Sequence, residues 1–414
     1  MKKPKCRNSI LIPVFLLILT ISGCMFVKDL DFLKDMISSN KESENPSDTE
    51  SETERAKFFE QEVEEQEPLP IFPLDYYYYN LLEEEEKHIY YQIYDGLLHQ
   101  EKEITVDLAE NDKFLWFVDM VLYDHPEIFW LENGYQYTTY NTYIVMEPKY
   151  SCEGEEKNQK QGQIDQVVNQ ILVELNAYES QYEKIKYVFE YLVKNVDYVE
   201  GSSDNQNMYS ALVNGQSVCA GYAKATQYIL QQAGMETLFV TGQITDSGSH
   251  AWNIVKCDGK YYHVDTTFGD SGYQNELLED ESALALPEEF QCIYNYLCCS
   301  DVQIYRNRTA DEDLKLPVCD SDELNYYALN GLYFETYSDE VKNRMYEDIQ
   351  GGSSFWMCQF SNQEAYQEAL DAIASGLYSD MAVEYLYQTS GIYEVQTYYA
   401  GEKSAYIIVC WYED

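Results

Sequence analysis

Three side chains in this 414-residue sequence have the types and spacing for nucleophilic acyl chemistry: Cys219, His250 and Asp265. A cysteine sulfur attacks a carbonyl carbon as the thiolate, so it needs a base and surroundings that favour the anion. An imidazole is the usual base. A carboxylate on its other nitrogen fixes the ring and its tautomer. Taken alone, Cys219 reads equally well as a buried, inert core thiol. His250 is one of five histidines and taken alone reads as a packed one. The case rests on their combination.

The elements around these residues are those such a site requires. Asn214-Gly215 is a turn signal, and Ser217 is expected to cap a helix running from Val218 to Ala233. Gly234 suits the position just beyond its end. Cys219 then lies in the first helical turn, where amide hydrogens and the helix dipole favour a thiolate. His250 to Cys257 is strand-like, Asp258-Gly259 is a two-residue hairpin signal, and Lys260 to Thr267 returns. In that register Trp252 faces Asp265 and His250 faces Thr267. His250 and Asp265 become diagonal neighbours on one sheet face, roughly 7 Å apart at the backbone. Trp252 shares that face and shields the pair. His263 has the same parity, but it stands further from the open end and opposite Ile254, so it is expected to be structural.

Three segments resemble the signature blocks of the transglutaminase-like superfamily: Cys219-Ala220-Gly221-Tyr222-Ala223, His250-Ala251-Trp252-Asn253 and Tyr262-His263-Val264-Asp265-Thr266-Thr267. The likeness is greatest to bacterial surface proteins of the transglutaminase/protease-like group. One departure is Phe268, where that family often has tryptophan. The resemblance implies an α+β fold with a papain-like core, the cysteine on a helix packed on an antiparallel sheet that carries histidine and aspartate. It also implies a thioester mechanism on amide or peptide bonds, resolved by water or by an amine. The Cys219 amide is the natural first oxyanion donor. Gln216 and Trp252 are candidates for the second. This chemistry requires no metal or organic cofactor. The competing expectation is a catalytically silent binding module of the cell surface.

The N-terminus reads as an address. Lys2, Lys3, Lys5 and Arg7 precede a mostly apolar run of twelve residues, Ile10 to Ile21. That is short for a membrane span, which needs about 20, and suits a signal peptide. The run ends in Ile21-Ser22-Gly23-Cys24, which resembles a bacterial lipobox. Residues 1–23 are thus expected to be a leader and Cys24 the lipidated residue, giving a membrane-anchored, extracytoplasmic protein. Eleven acidic residues lie between Lys41 and Glu67 with few apolar ones, so residues 24–73 read as an unfolded, self-repelling tether.

The whole chain carries 73 acidic and 27 basic residues, a net charge of −46. Such a field repels nucleic acid, which is excluded as a partner; a protein or peptide substrate, associated with the cell wall, is the expectation. Setting aside Cys6, Cys24 and Cys219 leaves eight of the eleven cysteines, without metal-ligand spacing. Exported location permits disulfides among them, but sequence assigns none.

Helical periodicity is expected at Leu81–Leu98, Lys113–Tyr123, Gln161–Leu175 and Tyr182–Lys194, and tyrosine-rich strands between Tyr135 and Val145. The charged stretch Asp311–Glu323 marks a further boundary. Beyond it, Tyr326–Thr336, Phe355–Phe360 and Ser404–Tyr412 read as strands, Glu340–Ile349 and Gln363–Ala374 as helices. The expected organisation is an accessory unit at 74–150, the transglutaminase-like domain at 151–305 and a small α+β domain at 320–414.

Overall fold

In a computed structural model of the chain, the residues described are 69, 72, 76–109, 113–132, 134–245, 247–269, 292–403 and 405–413. The expected leader, the lipidation site Cys24 and nearly all of the acidic tether lie outside them. Among the described residues no helix is long and apolar enough to cross a membrane.

After a single helical turn at Tyr77–Asn80, α1 (Glu84–Leu98) begins where Glu83 and Glu86 form a reciprocal capping box, with three glutamates in its first turn against the helix dipole. Its Tyr90, Ile93 and Leu97 are buried against α2 (Phe114–Asp124), whose Phe117, Val118 and Val121 recur at helical spacing. A three-stranded antiparallel sheet follows in the order β1 (Ile104–Val106), β3 (Ile144–Glu147), β2 (Gln136–Thr139). Next come α3 (Gly154–Leu175) and α4 (Gln181–Asn195), the latter opened by a Ser180–Glu183 capping box.

The central layer is an antiparallel five-stranded sheet. Its order is β10 (Arg308–Ala310), β6 (Thr237–Ile244), β7 (Gly248–Cys257), β8 (Lys260–Val264), β9 (Leu297–Cys299). The turn between β7 and β8 is the Asp258-Gly259 hairpin, both residues at positive φ, +50° and +83°. That geometry matches the strand twist and fixes the register, which pairs Ile254 with His263 and Asn253 with Val264. The helix α5 (Cys219–Gln232) packs on β6 and β7. A two-residue parallel ladder, β4 (Asp197–Tyr198) with β5 (Gln216–Ser217), leads into it.

One apolar core runs continuously from Tyr78 through α1, α2 and the central sheet. Polar bonds cross residue 150 as well: Tyr78 donates its hydroxyl to the Phe239 carbonyl at 2.7 Å, and Tyr123 Oη meets Thr241 Oγ1 at 3.2 Å. The first unit is therefore built onto the central sheet.

The C-terminal sheet has the order β11 (Tyr333–Phe334), β12 (Phe355–Phe360), β14 (Ile407–Glu413), β13 (Gln396–Glu402), with β11 parallel to β12. Alternation divides its side chains. Trp356, Cys358, Ile408 and Cys410 join α6 (Asp339–Gln350), α7 (Gln363–Ala374) and α8 (Leu377–Ser390) in a second core, while Met357, Ile407, Val409 and Trp411 join the central one. Each large apolar side chain so buried contributes roughly 1.5–3 kcal/mol.

One expectation fails locally. Tyr326–Thr336 is not one strand, because Asn325 accepts from the Tyr327 and Ala328 amides and starts a helical turn, Tyr326–Leu329. Only Tyr333–Phe334 is strand. The charged stretch Asp311–Glu323 lies against the sheet: Asp311 N donates to Thr241 O at 3.0 Å, Tyr262 Oη to Ser321 Oγ at 3.2 Å, and Lys260 to Glu323 at 2.7 Å.

Candidate active site

Cys219 is the first residue of α5 and is buried. The residue before the helix is Val218 in an extended conformation, so no side chain caps the first turn. The expectation that Ser217 caps the helix is corrected here. Ser217 lies one position too early, pairs in β5, and turns its hydroxyl to Asn205 O at 2.9 Å and Ser210 Oγ at 2.6 Å. Gly221 sits in the same crowded place, where a Cβ would meet Ser217 Oγ and the carbonyls of Asn205 and Asn207. A glycine is required for the turn to seat there. The eight other described cysteines form no disulfide and are buried. Burial pushes the Cys298, Cys299, Cys319 and Cys410 thiols up, which leaves them protonated and inert.

The helix runs along β6 and β7 in a readable register. Gln231 and Gln227 both donate to the Thr237 carbonyl, and one turn nearer the N-terminus the Ala223 carbonyl accepts from Asn253 at 3.0 Å. Asn253 pairs with Phe239, two residues along β6 from Thr237. Four helical residues rise about 6 Å, which equals about two strand residues.

His250 and Trp252 alternate to the opposite face of β7, in the layer that holds Asp265. There His250 Nε2 and Asp265 Oδ2 are 2.8 Å apart, both side chains buried. That bond uses Nε2 and leaves Nδ1 as the nitrogen for a second partner. Two rings set the imidazole plane. Trp252 lies nearly parallel to it, at 16° with centroids 6.1 Å apart, and Phe268 stands edge-on at 5.3 Å.

Asp265 has further partners that sequence reasoning missed. Arg308 Nη2 donates to Asp265 Oδ2 at 2.7 Å with both side chains fully buried, and the Phe268 amide donates to Oδ1 at 3.2 Å. The guanidinium also lies over the Tyr296 and Phe268 rings, at 3.9 and 4.3 Å. Burial would raise the Asp265 carboxyl, but His250 and Arg308 outweigh it and hold the group at about 2. It stays ionised at any physiological pH. Arg308 arrives from β10, 43 residues beyond Asp265 in sequence, with no local pattern to announce it.

Of the two candidates for the second oxyanion donor, Trp252 has its side-chain donor already engaged and Gln216 lies at the surface. The Trp252 indole N–H is engaged at 3.0 Å with His263 Nδ1. Gln216 is exposed, its backbone paired with Asp197. His263 is buried opposite Ile254, with Nε2 2.8 Å from Asp301 Oδ1.

Residues 168–266 match the family model of the transglutaminase-like superfamily. No curated protein matches the chain in sequence. Among solved structures, a TGase shares 14% identity at a TM-score of 0.26, over 45% of this chain and 55% of the other. The periplasmic domain of TgpA from Pseudomonas aeruginosa, bound to ethylmercury, shares 15% at 0.22, over 33% and 58%. A candidate cysteine protease from Cytophaga hutchinsonii shares 14% at 0.24, over 32% and 61%. The chain thus spans less than two thirds of each of these structures.

Proposed function

Because residues 168–266 match the model of the transglutaminase-like superfamily, we propose that the chain is a cysteine enzyme acting on amide or peptide bonds, with Cys219 as nucleophile, His250 as base and Asp265 as orienter. The observation that supports this reading is the buried 2.8 Å bond between His250 Nε2 and Asp265, together with a helix that begins at Cys219 and packs on the strand carrying His250. His250 takes the thiol proton at Nδ1. The thiolate adds to the carbonyl carbon, and the Cys219 amide donates to the oxyanion. The carbon–nitrogen bond then breaks, the leaving amine takes the proton back from the imidazolium, and a thioester remains. Water gives hydrolysis, and a lysine amine gives transamidation. Arg308 keeps Asp265 ionised, and so keeps the imidazole oriented, throughout the cycle.

The test uses protein reduced with dithiothreitol. Glutamine-bearing peptides are supplied with and without a labelled primary amine, and released ammonia and incorporated label are measured. Iodoacetamide labelling of Cys219 is followed in parallel by mass spectrometry. Cys219 should alkylate near neutral pH far faster than an ordinary thiol, and His250→Ala should lose roughly 100-fold or more in turnover. Equal, slow alkylation in both proteins with no ammonia released would sink the assignment. The site is further proposed to work at the extracytoplasmic face of the cell membrane, held by lipidated Cys24. Cys24→Ala should shift the protein from the membrane to the soluble fraction, and unchanged retention would count against the anchor.

A further inference from the structure

His263 is the buried histidine that the proposed chemistry leaves unused, and its hydrogen bonds have a fixed direction. Trp252 Nε1 lies 3.0 Å from its Nδ1, and an indole nitrogen can only donate. Nδ1 is therefore the acceptor, and the ring proton sits on Nε2, where it is donated to Asp301 Oδ1 at 2.8 Å. Asp301 is itself held, since its Oδ2 accepts from the Cys319 amide at 3.0 Å and its own amide donates to Cys319 O at 2.8 Å. Burial lowers the His263 pKa, against the opposing pull of Asp301, which agrees with a neutral ring.

His263, Asp301 and Cys319 also bring three ligand-type atoms within 4.8 Å of one another. The same tautomer argues against a cation there. A metal on Nε2 would move the proton to Nδ1, directly against the indole N–H. The cluster reads instead as a chain of hydrogen bonds leading to Trp252.

The far end of that chain is the proposed base. The indole lies at 16° to the His250 ring, and Phe268 stands on edge to the same ring. Beneath the indole, Gly242 pairs across the strands with His250; a Cβ at that position would press on the Trp252 ring at 2.9 Å and on the Thr309 carbonyl. The indole is thus located by one hydrogen bond and one bare stretch of backbone. Asp265 fixes a nitrogen of the imidazole but not the tilt of its plane, which falls to the two flanking rings.

We propose that His263 and Asp301 are positioning residues for His250, acting through the Trp252 indole; the proposal rests on the reading of Cys219 and His250 given above. Three substitutions at one position test it. In His263→Asn the amide oxygen stands near the place of Nδ1 and can still accept from Trp252. In His263→Gln the amide nitrogen reaches toward Asp301, but the indole loses its acceptor. His263→Leu removes both bonds.

The expected result is that His263→Asn restores turnover to within about threefold of wild type. His263→Gln and His263→Leu should lose roughly 10- to 100-fold in kcat with little change in KM, because a misplaced base harms the chemical step more than binding. The ¹H–¹⁵N signal of the Trp252 indole, recorded for all four proteins, reports the bond directly and should move in the Gln and Leu variants only. An active wild type with His263→Gln equal to His263→Asn in both rate and indole signal overturns the positioning role and leaves the proposed function standing. A wild type that releases no ammonia and alkylates slowly overturns both. Unfolded Leu variant protein would be uninformative by itself, so the Asn–Gln comparison decides.

Discussion

Replacing Arg308 with methionine removes the cation from a site in which both side chains of the ion pair are fully buried. The native Asp265 carboxylate takes hydrogen bonds from His250 Nε2, Arg308 Nη2 and the Phe268 amide. Methionine keeps much of the aliphatic stem but leaves the charge with two donors. Breaking one side of a buried pair costs about 3–5 kcal/mol, and the two surviving donors place this case near 3.

The pH dependence sharpens the test. Burial raises the carboxyl, but His250 and Arg308 bring it down from its ordinary 3.8 to about 2. A depressed carboxyl contributes stability that is present in full above about pH 4 and is lost as pH falls toward 2, here on the order of 2 kcal/mol. Without Arg308 the carboxyl takes up its proton at higher pH. The deficit of the variant is therefore largest at neutral pH and shrinks on acidification. Urea unfolding at pH 7, 4 and 2.5, followed by tryptophan fluorescence, measures it. Asp265→Asn and the double substitution complete a cycle, with an expected coupling of about 2–3 kcal/mol. A deficit under about 1 kcal/mol at pH 7, or one that stays constant as pH falls, would refute the reasoning.

Two further outcomes are expected. Gly221→Ala drives a Cβ into Ser217 Oγ and two backbone carbonyls, so it should lower stability by more than about 2 kcal/mol and slow Cys219 alkylation; an unchanged melting temperature would contradict the packing described. Lys224 is buried on α5, and burial, opposed by Glu127, lowers it to about 8 from 10.5. The native protein releases this proton before the unfolded chain does, so stability from this group rises between pH 8 and 10.5. Lys224→Met should be more stable than wild type at pH 7, by up to about 3 kcal/mol, with the gain fading across that window. Equal stabilities at pH 7 in a denaturant titration would remove the argument.

The parts of the site legible in the sequence are those set by local chemistry. Asp258-Gly259 can adopt two consecutive positive φ angles, and once that turn is fixed, period-two alternation puts Trp252, His263 and Asp265 in one layer. The helix carrying Cys219 was likewise visible from its apolar spacing and from Gly234 at its end, at φ +76°. Its cap was not, since Ser217 is drawn into a strand by partners at Asn205 and Ser210 that only the fold supplies. Arg308 and Asp301 were invisible for a stronger reason. Each reaches the layer from an element dozens of residues downstream, and strand pairing at that separation leaves no periodic trace. The tautomer of His263 depends on both Trp252 and Asp301, so no reading of its own neighbours could have reached it. The Tyr326–Thr336 stretch shows the converse, where a capping side chain at Asn325 overrides β-favouring tyrosines.

The edge position of β10 has a practical consequence for anyone trimming this molecule. A fragment that stops where the family match ends, at residue 266, would contain all three proposed catalytic side chains. It would also expose raw backbone along β6 and β8, and it would strand a sealed carboxylate with no guanidinium opposite. Excision at the boundary suggested by kinship therefore yields an incomplete machine, and the shortest competent version must extend at least through the strand that delivers Arg308.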